Sequence, residues 1–472
     1  MKKFLRILMI MILFIFMFIP ATLLAYPTVY PRGTTIYKPN KCWNGYTIIP
    51  TLFRSEEERE SVKDEGAYLI DMNGNVVKFW KGVYGSASNK LLPGGYIMGT
   101  TGPTPGQRAE FIYLAQWDWD GNIVWKFDKA EKMKIRDKWI WSARQHHDYQ
   151  RQGNPVGYYV PGMDPLVDRG KTLFNSIKIV KRPDITDKPI RDTRVIEVTW
   201  DGKIVWEWLI TDHWNELGLS EAAKNAFYRN PGYMEAYGNA RQIYFNNINY
   251  LGPNKWYDAG DERFHPDNLI ADIRSLNISL IISKKTGKIV WMLGPYFTDT
   301  PALRKIGQII GQHHVHMIPK GLPGAGNILI FDNGGEAGYG CPNPMAPRGV
   351  YNARRHYSRI LEINPVTLDI VWEYTEGSYL KDAKFFSAYC SGMQRLLNGN
   401  TLITEAQTSR VFEVTPKKEI VWEYVRPPVG GIGWLFRAYR IPYDWIPQLK
   451  KKPIEQAVIP PEPSKFIIKP SL

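Results

Sequence analysis

A chain of 472 residues with 44% hydrophobic and 13% aromatic content can bury a large core, and no low-complexity tract argues for disorder. Its formal charge of +14 favours anionic partners, yet no recognition motif or arginine-rich arm points to nucleic acid, so small anions or an anionic surface remain. Three cysteines without a Cys-x-x-Cys spacing exclude a disulfide scaffold and a thiolate metal or redox pair.

The start, Met1-Lys-Lys-Phe-Leu-Arg6, is positively charged, and Ile7 to Ile19 is an unbroken apolar run ending at Pro20 and Ala21-Thr-Leu-Leu-Ala25. Residues 1–25 read as a secretory signal peptide, with an uncleaved N-terminal membrane anchor as the alternative because Leu23 is a poor small-residue match before the cut. Either way the body is exported, and the periplasm is the expected location. In an oxidising compartment a bridge between Cys341 and Cys390 is possible. Residues 26–60 form an extended lead-in in which Gly45 to Phe53 has strand composition and could supply a ring-closing strand.

One phrase then returns six times: a turn, an apolar pair and a Trp. The copies are Asp71-Met-Asn-Gly-Asn-Val-Val77 with Trp80, Asp120-Gly-Asn-Ile-Val-Trp125, Asp201-Gly-Lys-Ile-Val-Trp206, Thr286-Gly-Lys-Ile-Val-Trp291, Leu368-Asp-Ile-Val-Trp372 and Lys418-Glu-Ile-Val-Trp422. Asn-Gly and Asp-Gly tolerate the positive φ of tight hairpin turns, and Ile and Val suit the outgoing strand. With Gly74, Gly121, Gly202, Gly287, Leu368 and Lys418 taken as equivalent, the spacings are 47, 81, 85, 81 and 50 residues. The shortest matches a four-stranded propeller blade, and the longer ones carry insertions. The expected fold is all-β, a six-bladed β-propeller over residues 61–440 with insertions at the channel face, as one ring rather than several domains. Helix is confined to insertions such as Leu219 to Phe227, where Ser220 could cap the start. Residues 441–472 form a Pro- and Lys-rich tail, expected to pack loosely.

Eight histidines are unevenly placed: His146 and His147 adjoin, His313, His314 and His316 lie within four positions, and His213, His265 and His356 are scattered. Both clusters fall on predicted inner strands, ahead of Gly-containing turns. Strand alternation puts His314 and His316 on one side and His313 on the other.

These residues resemble a known family, the bacterial arylsulfate sulfotransferases that work without the nucleotide sulfate donor PAPS. The likeness covers most of the chain after the signal: Leu69 to Val77, Gln145-His-His-Asp148, Tyr244-Phe-Asn-Asn-Ile-Asn-Tyr250, Arg274 ahead of the Lys285 to Gly294 hairpin, and Gly311-Gln-His313. The resemblance implies a propeller whose channel holds a histidine nucleophile, and a sulfuryl group moving from an aryl sulfate donor to a phenolic acceptor through a sulfohistidine, without cofactor or metal. It puts the nucleophile at His313, the sulfuryl-binding cation at Arg274, and a further catalytic histidine at His147. His146, Asn246 and His316 are implied as substrate-binding. Tyr244 stands where the family has His, so one proposed acid or anion-binding group is replaced by a hydroxyl that donates a hydrogen bond but carries no charge. A protonated His147 would supply charge beside Arg274, and His265 is a candidate replacement for the lost imidazole.

The donor and acceptor are thus expected to be small molecules, with no nucleic acid and no membrane partner beyond the signal or anchor. Two other classes remain open on the residues alone. His147, Asp148, His314 and His316 offer ligands for a metal hydrolase, and Tyr244 is compatible with a non-catalytic propeller that binds an anionic ligand or partner.

Overall fold

The computed structural model describes residues 32–50, 66–84, 88–103, 110–135, 137–229, 241–376, 385–427 and 434–459. The signal-like segment lies outside them, and among the described residues no helix is long and apolar enough to cross a membrane.

The chain is all-β apart from short helices, and its antiparallel sheets are arranged as a β-propeller. Three sheets have four strands: Phe245–Tyr250 to Ile289–Leu293, His313–Met317 to Ile370–Tyr374, and a sheet in which Tyr439–Ile441 leads Tyr46–Ile49, Gly66–Ile70 and Val76–Lys81. A fourth, Gly392–Arg395 to Ile420–Val425, carries Gly33–Tyr37 as a fifth strand on its outer edge. The remaining large sheet has nine strands, and its two halves meet at the pair Gln145–Phe111. Among the described residues four sheets stand alone, while Gln145 and Ala143, whose N–H donates to Ile112 O at 2.8 Å, join the strands of two expected blades into one sheet.

The repeated turns explain why the sheets are alike. All six aligned turn positions are left-handed, including Leu368 at φ 61° and Lys418 at φ 68°, where the other copies have Gly. The repeated Trp has a shared task. Each indole N–H donates to a carbonyl in the next copy's turn region: Trp80 to Asp118, Trp125 to Trp200, Trp206 to Lys284, Trp291 to Pro365, Trp372 to Pro416, and Trp422 back to Met72. Those bonds run once around the molecule and return to its first copy.

The two ends of the chain share one sheet, because Tyr46–Ile49 pairs with Tyr439–Ile441 on one side and Gly66–Ile70 on the other. Arg440 fastens this closure from a fully buried position, donating to Thr47 Oγ1 at 3.1 Å, ion-pairing Glu413, and lying 4.3 Å over the Trp422 ring. The described part of the tail is also pinned rather than loose: Val458 bridges Tyr37, and Glu455 accepts from Tyr37 OH at 3.0 Å and from Met72 N at 3.1 Å. Insertions form two small hairpins, Glu131–Ile135 with Lys138–Ser142 and Ala337–Tyr339 with Val350–Ala353. They also form the helix Glu221–Arg229, where Ser220 Oγ accepts from Ala223 N at 3.2 Å.

Candidate active site

The inner strands Gln145–Arg151, Phe245–Tyr250, His313–Met317, Gly392–Arg395 and Tyr439–Ile441 follow one another in contact around the centre. Three of them are bulged: pairing slips between Gln145 and Tyr149, between Phe245 and Ile248, and between His313 and His316. In the two Gln-His-His phrases the third residue takes the left-handed conformation, His147 at φ 58° and His314 at φ 54°. A bulge re-aims side chains, and here it turns neighbouring histidines in different directions.

His313 is buried, and its ring is held at both nitrogens. Nδ1 lies 2.7 Å from Asn333 Oδ1 and 3.1 Å from Gly311 O, both acceptors, so Nδ1 carries the proton. Nε2 therefore presents its lone pair, which accepts the Cys390 backbone N–H at 3.1 Å. Burial, then the nearby Arg274 charge, hold the imidazole well below its usual range, so it is neutral at neutral pH.

Arg274 stands in the short turn Arg274–Leu276, almost fully buried. Its Nη2 donates to Glu336 O at 3.0 Å and to Ala388 O at 3.3 Å, and its guanidinium lies 4.5 Å over the Tyr389 ring. The segment Ala388-Tyr389-Cys390 thus touches both Arg274 and His313. Gly311 suits this place, since its φ is 61° and a Cβ would press on Arg274 Nη2 at 3.3 Å.

His147 stacks on Tyr244 with ring centroids 5.1 Å apart, and its Nδ1 is 2.8 Å from His146 Nδ1. Burial, with Arg437 and Arg191 adding repulsion, pushes its pKa down to about 3. The expected protonated His147 is thereby corrected: it is neutral, and the fixed positive charge belongs to arginines. His146 lies deeper, its Nε2 3.3 Å from Thr193 Oγ1. Asn246 is fully buried, with Nδ2 3.4 Å from Gln312 O beside the proposed nucleophile and Oδ1 without a hydrogen-bond partner.

His316 stands apart from this group. Its Nε2 meets Tyr158 OH at 3.0 Å, and its ring is 4.5 Å from His314, whose Nε2 meets Tyr439 OH at 3.2 Å. His265 stays within its own loop, where Nδ1 accepts from Asp267 N at 3.2 Å; it does not replace the missing imidazole. Cys42, Cys341 and Cys390 are free thiols, so no Cys341–Cys390 bridge forms. Among the described residues no group of three or more His, Cys, Asp or Glu could hold a metal ion.

Sequence reasoning missed two parts. Asn333, which fixes the His313 tautomer, directly follows the strand Ile328–Asp332 and carries no motif of its own. Arg437 is fully buried, donating to Asp148 Oδ2 at 3.0 Å and Asn246 O at 2.6 Å, while Lys90 reaches the other oxygen of Asp148 at 2.7 Å. Arg437 and Arg440 inside the apolar run Leu435 to Ile441 were a readable signal, because a cation in such a run needs a buried partner.

Set beside known proteins, residues 167–425 match the model of the family described as Arylsulfotransferase (ASST). No curated protein matches. Among solved structures, a protein of unknown function from Bacteroides caccae is 10% identical, with a TM-score of 0.40, covering 84% of this chain and 99% of that one. Virginiamycin B lyase from Staphylococcus aureus is 12% identical, with a TM-score of 0.36, covering 85% of this chain and 86% of that one.

Proposed function

From the premise that the chain belongs to the arylsulfotransferase family, we propose that it moves a sulfuryl group from an aryl sulfate to a phenol in two half-reactions, with His313 as the nucleophile. His313 Nε2 attacks sulfur, the N–S bond forms as the S–O bond to the aryl group breaks, and the phenolate leaves with the electron pair. In the second half an acceptor phenol oxygen attacks the same sulfur, and the N–S electrons return to Nε2. The proton the acceptor gives up balances the one the first phenolate takes.

The observation that carries this reading is the His313 tautomer: a buried neutral ring with Nδ1–H held by Asn333 and an unprotonated Nε2 near Arg274, its lone pair held by the Cys390 N–H until substrate takes that place. Arg274 and the Cys390 N–H supply fixed donors for the sulfuryl oxygens in a site drier than bulk water. His147 and Tyr244, stacked and uncharged, offer hydrogen bonds at the leaving oxygen, and Asn246 lines the same wall. His146 supports His147, and His316 takes a more distant place along the channel.

We further take the ring as six-bladed, a reading supported by the six Trp bonds and by dividing the nine-stranded sheet at Gln145–Phe111. An exported, periplasmic setting belongs to the same proposal. The test is release of 4-nitrophenol from 4-nitrophenyl sulfate with a phenol as acceptor: the wild type turns over, and His313→Ala loses transfer. Equal turnover by both proteins would place the nucleophile elsewhere, and turnover by neither would leave a binding propeller as the better account.

A further inference from the structure

The hairpin Ala337–Tyr339 with Val350–Ala353 shapes a cleft of about 660 Å³ whose lining holds none of the residues assigned to the sulfuryl transfer. Its volume lies in the range of small-molecule sites. Arg348, Arg354 and His356 stand in its lining with a single carboxylate, Glu336, which pairs with Arg354 at 3.4 Å. Met345 and Pro347 provide apolar wall, and Tyr351 provides an aromatic one.

The cleft shares a wall with the element that carries Arg274. Strand Ala337–Tyr339 packs on the turn Arg274–Leu276, and Glu336 O takes the Arg274 Nη2 hydrogen bond at 3.0 Å. Tyr351, left-handed at φ 59°, stands within electrostatic reach of Tyr244, Arg274 and Tyr389. A ring held in the cleft among Arg348, Arg354 and His356 would therefore lie against Glu336, the residue whose carbonyl holds Arg274.

We propose that this cleft binds the ring of the phenol and that Arg348 and Arg354 recognise an anionic substituent on it, so that acceptors bearing a carboxylate are preferred over neutral ones. The inference rests on the transfer reading and names its substrate class. Guanidinium groups suit it because they meet carboxylates bidentately.

The test uses the full chain with 4-nitrophenyl sulfate as donor, comparing 4-hydroxybenzoate with neutral 4-hydroxybenzamide as acceptors. The wild type should favour the benzoate, and the double variant R348A/R354A should lose about tenfold in kcat/KM for it, through KM, with the benzamide changed less than about twofold. Equal losses for both acceptors, or none for either, overturn the proposal. Calorimetric binding of 4-hydroxybenzoate to His313→Ala protein, with and without the two arginines, separates the readings. Arginine-dependent binding without transfer in the wild type sinks the transferase reading and keeps the cleft. Transfer without carboxylate preference, or binding indifferent to the arginines, sinks the cleft and keeps the transferase.

Discussion

At the scale of single residues, the decisive feature is which nitrogen of His313 lacks the proton. Asn333 Oδ1 can only accept, so it fixes the proton on Nδ1 and leaves the lone pair on Nε2, the atom that attacks sulfur in the proposed transfer. Because burial and Arg274 hold the ring neutral, kcat/KM should stay flat as pH falls from 7.5 to 6, whereas an imidazole at its ordinary ~6.5 would lose roughly fourfold. Asn333→Asp sets a carboxylate against Nδ1, which favours the imidazolium. The acid limb of its pH–rate profile should shift to higher pH, and an unmoved limb would mean that Asn333 does not control the ring. None of this was legible beforehand. A motif shows that His313 occurs, but its two ring nitrogens are satisfied from residues 20 and 77 positions away, and pattern reading does not span such distances. Tyr244 was legible as a departure, and its stacking on His147 gives that departure a geometry.

At the scale of elements, turn chemistry and the Trp repeat were readable because both are local. The period aligned Leu368 and Lys418 with glycines, and all six positions share the left-handed turn. That conformation costs a non-Gly residue about 1 kcal/mol. Lys418→Gly should accordingly raise stability by about 0.5 kcal/mol after the glycine entropy cost, read as a higher urea midpoint. A lower midpoint would show that the Lys418 side chain matters more than its backbone. The closing element behaves differently. Arg440→Met leaves the fully buried Glu413 without its cation, so it should destabilise by about 3–5 kcal/mol; a loss under about 1 kcal/mol in urea unfolding would contradict the closure role. The bulges that separate His313 from His314 were not legible, since alternation assumes an unbroken strand. It reached the right partition of His314 and His316 without the reason for it.

At the scale of the whole molecule, the centre gathers arginines and keeps its histidines uncharged. His146, His147, His313, His314 and His316 all have depressed pKa values, with burial as the leading cause. Asp192, Asp272 and Glu405 are raised to about 7, again chiefly by burial. The signs oppose. Below ~6.5 the unfolded chain gains protons on five histidines that the folded state refuses, which lowers stability as pH falls. Over ~4.5 to 6.5 the folded state keeps protons on three acids that the unfolded chain has released, which works the other way. Five against three leaves about two protons taken up on unfolding, or roughly 3 kcal/mol lost per pH unit between ~6 and ~5. Thermal unfolding should therefore show a lower Tm at pH 5 than at pH 7, and an equal or higher Tm would mean the histidines are charged in the fold.

The central claim is that one imidazole nitrogen takes the sulfuryl group. The most direct measurement is mass spectrometry of the intact protein after brief exposure to 4-nitrophenyl sulfate, followed by mapping of the modified peptide. The account predicts a single sulfuryl adduct on the peptide containing His313, discharged when a phenol is added. An adduct on another residue, or none under conditions where transfer proceeds, would contradict it.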